Sequence, residues 1–512
     1  MMPESSPSWA ASLRRRGIDA ATLYATLAQS TSLCLGPITV LFVANSLQPE
    51  IQGYYYTFGS LTAVQVVFGA GLSQVVMQAA SHEWPHAGLH GPEHRGGNPG
   101  ALGRLSSIWS TAFRWYLGLS VALAAALVWL GWAMFAEQGA HDGVRWELPW
   151  LALGALTCVN FVLTPAWALL QGCGQVRQYY LFHWVHLVLS AVTLWVTLSY
   201  GFELWAAPAS VGVGAAWGAL FLCARYRRFF KDVMTAPRDR SLNWAHEMWP
   251  LQWRSWLSWL STTLTIQALV PISFRVSGPA TAGQLGMTIT LTSVIAAVAS
   301  NAVSTKAPRL GALVAQGRFS EMDALFRRAA QTSSLLLAAT TGLALAALAV
   351  AESYGVRLAD RLLPAAPFVV MLAAAAGTAV SGWLSTYVRA FKREPFAFPY
   401  AVWSLGTLLL VTTASRPCGT AGIANGYLAG VAGLLLPATS FIFLRYRRTH
   451  APAQAADPTR AAAAGRGRTL PPALIADGGI PWMEPDGIVR PEGVSLTGNG
   501  TKPCDGRARQ GS

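Results

Sequence analysis

Charge is what this sequence has least of. Only 12% of its 512 residues are Asp, Glu, Lys or Arg, about half the share found in soluble domains. Acids are the scarcer sign, 23 against 37 Lys and Arg. So little charge excludes a water-soluble domain of this length, and 53% hydrophobic residues with a mean hydropathy of +0.37 point to many membrane spans. Cysteine is sparse too. Cys34, Cys158, Cys173, Cys223, Cys418 and Cys504 have no paired spacing, which speaks against a disulfide framework and a zinc site. Nucleophile motifs, phosphate-binding loops and metal-ligand spacings are missing as well. No loop is long enough for a soluble catalytic domain, so an enzyme is disfavoured, and no cofactor is expected.

What is present is a series of apolar runs. Hydropathy places about twelve spans near 24–47, 54–80, 107–135, 149–172, 179–200, 203–224, 248–273, 279–304, 330–351, 364–388, 397–415 and 420–444. The fold class expected is an all-α polytopic membrane protein. The net charge of +14 does not call for nucleic acid, because the basic residues sit in alternate loops. One set holds Arg14 to Arg16, Arg95, Arg104, Arg177, Arg225 to Arg240, Lys306 to Arg328, Arg389 to Arg393 and Arg445 to Arg448; it outnumbers Arg145, Arg275, Arg357, Arg361 and Arg416 several-fold. Both termini are therefore expected in the cytoplasm, with the chain in the cytoplasmic (inner) membrane. Residues 1–23 lack a cleavable signal and read as a cytoplasmic segment whose arginines anchor the first span. Residues 24–224 form a first set of six spans, 225–247 a basic linker, 248–445 a second set, and 446–512 a disordered cytoplasmic tail.

The second span, from Gly53 to His82, is the most informative stretch. Steps of four and three residues join Gly53, Thr57, Ser60, Val64, Val67, Gly71, Gln74, Gln78 and Ser81 on one helical face. Glutamines facing lipid are unfavourable, so this face is expected against another helix or a wet cavity. Tight packing through small residues explains one such stripe equally well. A second copy shifts the balance. Gly283, Gly286, Thr290, Ser293, Ala297, Asn301 and Ser304 repeat the pattern 230 residues on, and Pro37-Ile38-Thr39 is echoed by Pro271-Ile272-Ser273. A weaker echo links Trp167-Ala168-Leu169-Leu170 to Trp383-Leu384-Ser385-Thr386. Two related halves in one membrane chain imply a carrier.

Other features have plainer readings. Pro37 allows a kink in the first span. His82, His86, His90 and His94 recur every four residues, but Pro85, Gly88, Gly91 and Pro92 break any helix there, which favours a solvated loop over a metal site. His183 and His186 are read as satisfied or interfacial histidines, with titration in a cavity as the alternative. Arg254, among Trp249, Trp253, Trp256 and Trp259, either snorkels to the headgroups or lines a cavity.

The pattern EIQGYYYTFGSLTAVQVVFGAGLSQVVMQAASHE, followed by ALLQGCGQV and a second half beginning before PISF, resembles the oligosaccharide flippases of O-antigen and polysaccharide biosynthesis, within the multidrug/oligosaccharidyl-lipid/polysaccharide exporter superfamily. The resemblance covers about residues 20 to 445. It implies two pseudo-symmetric six-helix bundles around a central cavity open to each side in turn. It also implies a polyprenyl-pyrophosphate-linked oligosaccharide as cargo, drawn from membrane lipid, and polysaccharide assembly proteins as possible partners. A polar cavity replaces sugar hydration, and arginine binds pyrophosphate bidentately. On this view Gln74, Gln78, Thr290, Asn301 and Ser304 meet sugar, and Arg254 and Arg389 meet phosphate. The rivals are a cation-coupled multidrug exporter of the same fold, which would use an intramembrane carboxylate, and a sugar-lipid polymerase or ligase. Glu50, Glu83, Glu203, Glu247, Glu352 and Glu394 all fall at or beyond span ends, which favours the flippase.

Overall fold

In the computed structural model, residues 20–69, 71–87, 99–235, 249–391 and 393–450 are described. The arginines before the first span, His90 and His94, most of the basic linker, Lys392 and the tail from 451 lie outside them. The first half comprises α1 (Ala20–Ser46), a second span in three pieces, α2 (Pro49–Thr62), α3 (Gln65–Gly69) and α4 (Leu72–Ala87), then α5 (Pro99–Asp142), α6 (Glu147–Gly172), α7 (Val176–Ser199) and α8 (Ala206–Thr235). The second half comprises α9 (Trp249–Ser277), α10 (Pro279–Ser304), the short α11 (Ala307–Ala315), α12 (Phe319–Ser353), α13 (Arg357–Asp360), α14 (Ala365–Arg389), α15 (Ala397–Gly430), a π turn (Val431–Leu435) and α16 (Leu436–His450).

Among the described residues ten helices are long and apolar enough to cross a membrane, and an eleventh span arises if the second, bent by 44° at its break, is taken as one. The segment from Ala397 is itself two spans. Its chain reverses at Gly419, whose φ of 53° and ψ of −132° suit a residue without a Cβ. After the reversal, Gly426 and Gly430 lie against Val411 and Thr407. Among the described residues each of the twelve hydropathic runs is thus helical for most of its length.

The repeat seen in the sequence is a repeat of packing. In the first half α1 packs on α7, α4 on α5 and α6, α6 on α8, and α7 on α8; in the second half α9 packs on α15, α10 on α12 and α14, α14 on α16, and the two arms of α15 on each other. Six amphiphilic helices with the same order of apolar faces solve the packing problem the same way twice.

The halves meet along α2 and α10. A Cβ on Gly53 would overlap the Pro279 backbone, and one on Gly283 would press on Gln52 and Gly53, so the two helices touch backbone to backbone. Tyr54 packs edge-on to Phe274 of α9 at 5.0 Å, within a buried cluster that includes Phe58, Phe135 and Trp150. The Gln52 amide donates to the Arg361 carbonyl at 3.3 Å. All this lies at the end away from Arg177, Arg225, Lys306 and Arg389, the basic end. Toward the basic end α4 leaves α10 and packs on α5 and α6 of its own half.

At the break itself, the Trp256 indole of α9 donates to the Val67 carbonyl at 3.0 Å. Trp256→Phe keeps the ring and removes the donor. The expected cost is about 1–2 kcal/mol, read as a lower unfolding temperature in detergent, with Trp259→Phe, at an exposed position, as the unchanged control.

Candidate functional site

The second span was expected to be one continuous helix carrying one polar face; it is not. The chain turns at Ala63 and Val64, and Gly71 takes a φ of +68° before α4 starts. Gly53 and Thr57, above the break, are buried against neighbouring helices. Gln74, below it, faces a different neighbourhood.

That neighbourhood is a cavity of about 340 Å³ within the first half. The second span contributes Gln65, Ser73, Gln74 and Met77; α6 contributes Asn160, Thr164, Trp167, Ala168 and Gln171; α7 contributes Tyr179, Phe182, His183 and His186. The lining is amide, hydroxyl, imidazole and ring, without a carboxylate, lysine or arginine. Trp167 stacks on Phe182 with centroids 3.8 Å apart, and Tyr179 lies parallel to His183 at 5.9 Å. The Asn160 amide donates to the Leu156 carbonyl at 3.2 Å and the Gln171 amide to Trp167 at 3.4 Å, which fixes both side chains along α6. Arg177, two residues before Tyr179 and exposed, lies over the Tyr24 ring at 6.0 Å. Such a site suits a neutral, hydroxyl-rich ligand with an apolar face: amides exchange hydrogen bonds with hydroxyls, and rings cover C–H surfaces.

Of the residues assigned to substrate from sequence, only Gln74 lines this cavity. Gln78, one turn on, is half-buried, and its carbonyl accepts from Ser81 at 2.7 Å. Thr290 bonds to the Gly286 carbonyl at 2.9 Å and lies within hydrogen-bonding reach of Tyr56, in the contact between the halves. Asn301 and Ser304 sit at the basic end of α10, where the Ser304 hydroxyl donates to the Asn301 carbonyl at 3.2 Å. Arg254 is in the first turns of α9; its side chain lies outside the described residues. Arg389 grips Glu394 through Nε at 2.9 Å and Nη2 at 3.0 Å, and Glu394 also accepts from Ser258 at 3.1 Å. That guanidinium already holds a carboxylate where a phosphate was expected.

Sequence reasoning missed the α6 and α7 walls, although their signal was present. Asn160, Thr164, Trp167 and Gln171 recur at helical spacing, as do Tyr179, His183 and His186. Tyr179 alone of these reads from the sequence, with Tyr180 and Trp184, as part of an interfacial aromatic belt. In the structure Trp184 points instead to α1, donating to Thr31 at 3.0 Å. Outside the spans, burial lowers the Arg361 pKa from its ordinary value, with Glu50 acting the other way.

No family model and no curated protein matches this sequence. Solved structures do. An inward-facing multidrug resistance MATE family transporter of the MOP superfamily superposes with a TM-score of 0.58 at 14% identity, over 83% of this chain and 96% of that one. A MATE structure in complex with MaL6 gives 0.53 at 15%, over 85% and 96%. An outward-facing MATE family transporter gives 0.50 at 14%, over 83% and 95%. The fold of this chain is that of MATE transporters.

Pairing with Glu394 makes Arg389 a fastener between α14 and α9. Arg389→Gln and Glu394→Gln should each lower stability, and the double variant should fall short of their sum by about 0.5–1 kcal/mol. A thermal-unfolding double-mutant cycle measures this; an additive cycle would free Arg389 for another role.

Proposed function

We propose that this chain moves a polyprenyl-pyrophosphate-linked oligosaccharide across the cytoplasmic membrane by alternating access, for surface polysaccharide such as O-antigen and lipopolysaccharide. The observation that carries this reading is the cavity lining: amides and hydroxyls beside Trp167, Tyr179 and Phe182, with no carboxylate. Sugars need hydrogen bonds to replace water and rings to cover their apolar faces. The polyprenyl tail can stay in lipid throughout, so the cavity need only take the head. Arg177, in the first turn of α7, is placed to meet pyrophosphate as the sugar enters. With both termini in the cytoplasm, the basic end is the cytoplasmic one, and the contact of Gly53 with Pro279 closes the far side.

A cation-coupled multidrug exporter is the second reading, favoured by the likeness to multidrug MATE transporters. Such a protein needs a charged group inside the membrane for its ion. Glu50, Glu83, Glu203, Glu352 and Glu394 all stand at helix ends. A polymerase or ligase of lipid-linked sugars is the third.

A deletion strain separates the three. Lipid-linked oligosaccharide accumulating on the cytoplasmic face supports flipping, accumulation outside supports polymerisation, and drug sensitivity with normal polysaccharide supports the exporter. Gln74→Ala and Asn160→Ala are each expected to cut flipping of the reconstituted lipid-linked sugar roughly three- to tenfold, the worth of one hydrogen bond. Arg254→Ala and Arg254→Glu test the remaining basic candidate, and wild-type surface polysaccharide in both removes it from the mechanism.

A further inference from the structure

At the end away from the basic loops, the contact between the halves encloses two polar atoms that nothing satisfies. The segment that brings them together is the crossing from α12 to α14. Gly355, at a φ of +60°, turns the chain out of α12, and Leu362 and Leu363, 5% and 1% exposed, then anchor it in the second half. Two bonds to α10 fix it there: the Gln284 amide donates to the Asp360 carbonyl at 2.9 Å, and the Leu363 amide donates to the Thr288 hydroxyl at 3.2 Å. On its other side the segment meets the first half. There α13 packs on α1, and the Gln52 amide of α2 donates to the Arg361 carbonyl. Gln52 is 1% exposed, and Gly283 leaves it room, since a Cβ there would come within 3.1 Å of the Gln52 Cγ.

That bond uses the nitrogen of Gln52 and leaves its oxygen over. Gln52 Oε1 and Arg361 Nη1 are both enclosed without a hydrogen-bond partner. One is an acceptor and the other a donor, and they belong to opposite halves. Burial works against the guanidinium more than Glu50 and Asp360 work for it, with Arg357 adding repulsion, and among the described residues no carboxylate pairs with it. Water would satisfy both atoms, so enclosing them is unfavourable.

We propose that Gln52 and Arg361 are a release device: closing this end strips both atoms of water, opening it restores the water, and the pair thereby keeps a close-fitting contact from locking. This rests on the alternating-access reading but not on the identity of the cargo. The rest of the contact favours closure. Gly53 against Pro279 and Tyr54 against Phe274 gain from closeness alone. A contact built only of such pieces would seldom open. The unpaired donor and acceptor act on the closed arrangement only, because the two halves must meet to enclose them, so they raise that state and leave the open one as it was.

The test uses the full chain in lipid nanodiscs, freed of its six cysteines and given Thr57→Cys, at a 0% exposed position one turn from Gly53 on the same helical face. The rate at which a charged thiosulfonate reagent modifies this cysteine reads how often the contact opens. Arg361→Met removes the enclosed donor at similar length and should slow modification roughly tenfold, the effect of one unpaired buried group. Gln52→Glu offers Nη1 a carboxylate and should slow it at least as much. Combining the two leaves a buried carboxylate without a partner, so the double variant should react faster than either single one. Ser333→Cys, placed alone in the same background at a 0% exposed position within the second half, reports general loosening and should keep its rate in every variant. Rates at Thr57→Cys left unchanged by both Arg361→Met and Gln52→Glu overturn the proposal. So does an equal slowing at Ser333→Cys, which would mean general stabilisation. Modification of Thr57→Cys no faster than that of Ser333→Cys in the parent overturns the alternating-access reading along with it, and that result is distinct from the other two.

Discussion

Hydrocarbon offers no water to an interrupted helix, and the interruption of the second span at residues 63–71 is the constraint on which the rest of this structure depends. A continuous helix would hold Gly53 and Gln74 to a single face and force a choice between sealing the halves and lining a cavity. The break removes that choice. Above it α2 belongs to the contact with α10; below it α4 belongs to its own half. The freed backbone is supported from the other half, by Trp256 on the Val67 carbonyl. The element that separates the two tasks is thus also a point at which the halves are joined.

The corresponding helix of the second half, α10, runs unbroken from Pro279 to Ser304, and its surroundings differ accordingly. Trp167 and Trp383 are related by the weaker sequence echo. Trp167 lines the first-half cavity, whereas Trp383 is 5% exposed and donates to Ser300 of α10 at 3.1 Å. Around Trp383 polar groups satisfy each other: Ser381 bonds to Thr439 at 3.1 Å, and Ser385 meets Tyr400. Trp167 thus borders a cavity, whereas the polar groups beside Trp383 bond to one another. Asymmetry between like halves is therefore local, carried by the break in one helix and the tryptophan facing it.

Much of this was legible in the sequence, for identifiable reasons. Twelve apolar runs and the shift of 230 residues between stripes follow from periodicities that a membrane preserves, since lipid forbids most alternatives to helix. The site was read less well. Thr290, Asn301 and Ser304 share the stripe pattern of the second span, but a stripe of small polar residues serves close packing as readily as a cavity, and around Thr290 packing is what it serves. Gln74 lines a cavity, as the cost of leaving an amide in lipid suggests. Its neighbour Tyr179 on α7 reads from the sequence as part of an interfacial belt, because aromatic residues beside a basic turn usually are. One contact of Arg389 was not legible: Glu394, five residues on, follows the helix end and folds back to it.

The distribution of polar contacts bears on whether such a molecule can rearrange. Among the described residues, every ion pair lies within one half: Arg104 with Glu83 in the first, and Arg318 with Glu321, Arg389 with Glu394 and Arg447 with Asp323 in the second. The last ties α16 to α12, and Tyr387 of α14 adds its hydroxyl to Asp323 at 2.6 Å. Each half is therefore pinned internally by charge-assisted bonds. Between the halves the contacts are of another kind: glycine against backbone, Tyr54 against Phe274, and single hydrogen bonds from Gln52, Trp256 and Arg275 to main-chain carbonyls. Contacts of that kind are short-ranged and need no buried charge to be stripped of its partner when they part. Two stiff bodies joined by close contacts, and among the described residues by no ion pair, can rock against each other without unfolding either one, and the same contact that closes one end sets the line about which the other end opens.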